Sequence, residues 1–89
     1  YNLGIAYKNL RQLGKAALAL EKAVELAPTN LDIRLTLGNV YNLQERWKDA
    51  IGQLNIVVHR QQNDAQAHGN LGWAYYNYTD GPPFKQMVI

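Results

Sequence analysis

Leu3-Gly4-Ile5-Ala6-Tyr7, Leu37-Gly38-Asn39-Val40-Tyr41 and Leu71-Gly72-Trp73-Ala74-Tyr75 are three copies of one motif, Leu-Gly-x-x-Tyr, and the interval between successive copies is the same both times. A period of roughly 20–50 residues marks an array whose units stack on one another. Such an array offers an extended concave surface, not a deep pocket built from converging loops. The register holds outside the motif as well. Ala16 aligns with Ala50, Leu20 with Leu54, Ala23 with Val57, and Pro28-Thr29-Asn30 with Gln62-Asn63-Asp64.

The local pattern is helical. Leu3, Ala6, Tyr7 and Leu10 fall at i, i+3, i+4 and i+7, one face of a helix, and Leu37, Val40 and Tyr41 repeat it. Ala16, Leu20, Ala23, Val24 and Ala27 form a second stripe. The spacing predicts helices near 1–12, 14–27, 32–44, 47–61 and 65–78. Asn30 or Thr29 is placed to cap the third helix, with Asp32 favourable in its first turn. Asn63 with Gln66 reads as a capping box for the fifth. Gly4, Gly38 and Gly72 sit inside helical patterns, where each costs about 1 kcal/mol relative to alanine. A cost incurred three times at one register position implies that two helices approach closely there.

These residues resemble the tetratricopeptide repeat family, whose unit is a helix–turn–helix of about 34 residues. The first copy carries every signature position: Leu3, Gly4, Tyr7, Ala16, Leu20, Ala23 and Pro28. The second has Val57 for the small residue and Gln62 for the proline. The third departs after Tyr75. The resemblance implies an all-α fold, a right-handed α-solenoid of about two and a half repeats over residues 1–89. The repeats are placed near 1–30, 31–64 and 65–89, the first and last incomplete, and the array is expected to continue beyond this stretch.

Composition narrows the function classes. Nine basic and seven acidic residues give a net charge of +2, too small and too mixed for a surface that holds a polyanion. There is no cysteine, which excludes disulfides and thiolate metal sites. There is no serine to act as a nucleophile. His59 and His68 stand on different predicted helices, and the carboxylates are scattered. No catalytic, cofactor-binding or metal-binding residues are expected, and no cofactor. No apolar run is long enough to span a membrane. The compartment is not fixed by these features, with the cytoplasm the default expectation.

The face opposite Leu3 and Tyr7 carries Asn2, Ile5 and Asn9. Its equivalents are Thr36, Asn39 and Leu43, then Asn70, Trp73 and Asn77, with Tyr76 at the edge. The resemblance makes these residues the lining of a concave groove that takes a peptide. Asparagine amides suit the N–H and C=O groups of an extended strand, and Trp73 is the residue type most enriched at binding hot spots. Trp47 matches Leu13 and is expected to pack between helices. The lysine–asparagine clamp by which some family members hold acidic chaperone tails is not matched, because Tyr1, Gln66 and Asn70 stand where its basic residues would be.

The expected function is therefore a non-catalytic protein–protein interaction module, a scaffold or assembly adaptor with no nucleic-acid ligand. The rival readings are a helical-repeat RNA binder and the recognition arm of a larger enzyme. After Asp80-Gly81-Pro82-Pro83, a sixth helix is expected over residues 84–89. Self-association through this C-terminal end, by way of Trp73, Tyr75 and Tyr76, is a further expectation.

Overall fold

The structure, a computed structural model, describes residues 2–78. The expected sixth helix falls in residues 79–89, outside them, as does the segment after Gly81 on which the expected self-association partly rests; Trp73, Tyr75 and Tyr76 lie within them. Five helices follow one another: α1 (Asn2–Asn9), α2 (Leu13–Leu26), α3 (Leu31–Leu43), α4 (Trp47–Arg60) and α5 (Ala65–Tyr78). Each packs on the next, and α3 also touches α5. This is the all-α solenoid that the period predicts, with α1, α3 and α5 as first helices and α2 and α4 as second helices.

The turns repeat as faithfully as the helices. Inside each repeat the first helix ends on a residue in the left-handed region, Arg11 (φ 62°) and Glu45 (φ 60°), one period apart. Around them the same two bonds close the turn: Arg11 N–H to Lys8 O with Gln12 N–H to Tyr7 O, and Glu45 N–H to Asn42 O with Arg46 N–H to Tyr41 O. This is the Schellman arrangement, here without the usual glycine. It ends α1 at Asn9, earlier than the apolar spacing implies.

Between repeats a side-chain cap starts the next helix. Asn30 Oδ1 accepts from Asp32 N–H (3.0 Å) and Ile33 N–H (3.3 Å). Asp64, one period on, accepts from Ala67 N–H at 3.0 Å. Asp64 therefore caps α5, where the capping-box pattern pointed to Asn63. The side chain of the residue just before the first helical turn reaches the free N–H groups, and that residue is Asp64.

The core is the same set of positions taken twice. Ala16 and Ala50, Leu20 and Leu54, Ala23 and Val57, Ile33 and Ala67, Leu37 and Leu71, Val40 and Ala74 are all buried. The first stripe is the exception. Leu3 is 58% exposed while its equivalent Leu37 is 1% exposed, and Leu10 is also exposed. Leu37 lies on a helix packed against both α2 and α4, whereas α1 packs chiefly on α2. One helical neighbour covers only part of a face that two neighbours bury.

Two of the three motif glycines sit at the closest helix–helix approach. A Cβ on Gly4 would lie 2.6 Å from Leu20 Cγ, and one on Gly38 would lie 2.6 Å from both Leu54 Cγ and Cδ2. Gly72 has open space around its Cβ position among the described residues, which include no second helix after α5. The clash at Gly38 involves the branch point of Leu54, not only a methyl that could swing away.

Gly52 supplies the contrast. It lies inside α4 with nothing within 4 Å of its Cβ position. Gly38→Ala is expected to destabilise the fold by about 1–3 kcal/mol through overpacking. Gly52→Ala is expected to stabilise it by about 1 kcal/mol through helix propensity alone. Thermal or urea melts of the two variants check the opposite signs; a Gly38→Ala variant as stable as Gly52→Ala contradicts the close approach.

Candidate functional site

The three first helices share one cleft of about 200 Å³. Lys8 lines it from α1, Asp32, Leu35, Thr36 and Asn39 from α3, and Gln66 from α5. Successive first helices of a solenoid lie side by side, so residues at repeating positions converge across the array although they are far apart in sequence.

Of the residues expected in the groove, Thr36 and Asn39 line this cleft together. Asn39 is half-buried, and its amide makes no hydrogen bond among the described residues. Thr36 turns its hydroxyl back to donate to Asp32 O at 2.9 Å, which leaves its oxygen as an acceptor for a ligand. Asn70 stands across the seam between α3 and α5. Its backbone O accepts from Asn42 Nδ2 at 3.0 Å, and its own Nδ2 is buried without a partner among the described residues. Asn42, itself only 6% exposed, has a buried Oδ1 that finds no partner among the described residues. The leftover acceptor of one amide and the leftover donor of the other are complementary.

Trp73, Tyr76 and Asn77 form a separate cluster on α5. The Trp73 and Tyr76 rings stack at 5.8 Å with 7° between their planes. Trp47 meets Trp73 edge-on at 6.4 Å, so the residue expected between helices bridges α4 and α5 through an aromatic pair. Asn77 Nδ2 donates to Trp73 O at 2.8 Å along its own helix. Trp73 remains 55% exposed. Leu43, 40% exposed, ends α3, and Ile5 and Asn9 stand half-buried and exposed on α1. Asn2 opens α1.

Sequence reasoning passed over Lys8, Asp32, Leu35 and Gln66. Three of them could have been found. One helical turn back from Thr36, Asn39 and Asn70 lie Asp32, Leu35 and Gln66, and Asp32 and Gln66 are themselves one period apart. Lys8 carries no such signal. Its long stem lets it reach the cleft from a position whose equivalent on α3, Asn42, is buried.

Outside the cleft the helices are tied by polar contacts that also follow the period. Tyr41 donates its hydroxyl to Glu21. Asn55, the equivalent of Glu21, donates to Tyr75 Oη at 3.3 Å. Arg46 lies over the Tyr41 ring, 4.3 Å from its centroid, and pairs with Glu21 (3.8 Å) and Asp49 (3.1 Å). Burial, and then the hydrogen bond and charge of Glu21, push the Tyr41 hydroxyl well above its ordinary titration range, while Arg46 opposes the shift.

The arrangement offers hydrogen-bonding and charged groups on a shallow, open surface. Among the described residues no group of three or more His, Asp or Glu side chains is placed to hold a metal ion. No described helix is long and apolar enough to cross a membrane. The sequence model of the tetratricopeptide repeat family matches residues 10–73. Among curated proteins, no match to the chain is found.

The Tyr41 contact has a pH signature. Folding binds the Tyr41 proton more tightly, so the stability it adds is fully present below the unfolded value near pH ~10. As pH rises past that point the unfolded chain loses the proton and the folded chain keeps it, so stability falls. Tyr41→Phe removes this component. Urea melts between about pH 8 and 11 should show a steeper alkaline loss in the wild type than in Tyr41→Phe; parallel curves contradict the assignment.

Proposed function

Because this chain belongs to the tetratricopeptide repeat family, whose repeats generally mediate protein–protein interaction, we propose that it is a non-catalytic scaffold or adaptor that binds an extended segment of a partner protein along α1, α3 and α5. The observation that carries this reading is the single cleft lined from all three first helices. An elongated body of 42 × 29 × 18 Å with a shallow groove suits a strand or loop better than a small molecule held on all sides. Asn39 and Gln66 provide donors and acceptors for main-chain amides, and Leu35 provides an apolar floor.

The cleft chemistry speaks against an RNA ligand. It holds one lysine and one aspartate, not a basic stripe, and its lining has no aromatic side chain on which a base could stack. The stacked pair Trp73 and Tyr76 lies on α5 beside Trp47.

A selection of random linear peptides on the purified chain tests the reading. Recovered peptides should bind wild type, and Asn39→Ala should weaken them about fivefold, the worth of one hydrogen bond of about 1 kcal/mol. Arg60→Ala, on the exposed end of α4, should leave binding unchanged. If no recovered peptide responds to Asn39→Ala, the groove is not the binding surface. Sub-micromolar RNA binding that survives about 0.2 M salt would replace the reading with the nucleic-acid one.

A further inference from the structure

We draw no further inference here: the strongest candidate, the apolar groove between α1, α2 and the start of α3 that Leu3, Lys22, Leu26 and Ile33 help to line, carries nothing, because nothing in the structure shows what covers it.

Discussion

The missing Cβ at Gly4 and Gly38 is the constraint on which the rest depends. At both positions the space a methyl group would need is filled by a leucine of the following helix, Leu20 and Leu54. Those leucines are fully buried. The glycine costs helix propensity, and the helix pair gains a close contact that a larger residue would prevent. Because the contact recurs at the same register, α1 meets α2 in the way that α3 meets α4. The first helices then line up, and the groove is a consequence of that alignment.

The turns hold this geometry from both ends. Arg11 and Glu45 accept a left-handed backbone that an L-residue adopts at a cost of about 1–2 kcal/mol. The two bonds at each turn satisfy helix-terminal carbonyls and aim the chain back along the first helix. Asn30 and Asp64 then start the following repeat with side-chain caps. Tyr41 with Glu21 and Asn55 with Tyr75 tie one repeat to the next. Local chemistry and the period therefore agree at these turns and caps, which is the consistency that gives a sequence one fold.

Much of the fold was legible because the period is a property of sequence. The Leu-Gly-x-x-Tyr spacing, the Ala16/Ala50 and Leu20/Leu54 pairs and the cap at Asn30 each carry their structural meaning in residue type and position. The exposure of Leu3 was not legible, since a helical face says what is apolar and not how many neighbours cover it. The cap at Asp64 was misread at Asn63 because a short motif was followed where the repeat register pointed one position later. The candidate site was legible in part. Thr36 and Asn39 follow from the face opposite the motif. Lys8 does not, because its place depends on the reach of a flexible side chain. The amides of Asn42 and Asn70 meet only when α3 and α5 are packed, and no spacing rule announces that contact.

A double-mutant cycle between Gly38 and Leu54 tests the account most directly. Leu54→Ala alone opens a cavity and should cost about 2–5 kcal/mol. That same cavity removes the atoms a Cβ at position 38 would strike. With Leu54 already truncated, Gly38→Ala should therefore cost nothing and recover part of the helix propensity. The account predicts a favourable coupling of about 1–3 kcal/mol between the two substitutions, read from equilibrium unfolding. Additive losses would show that Gly38 does not meet Leu54, and the close approach that sets the helix pair and the groove would be contradicted.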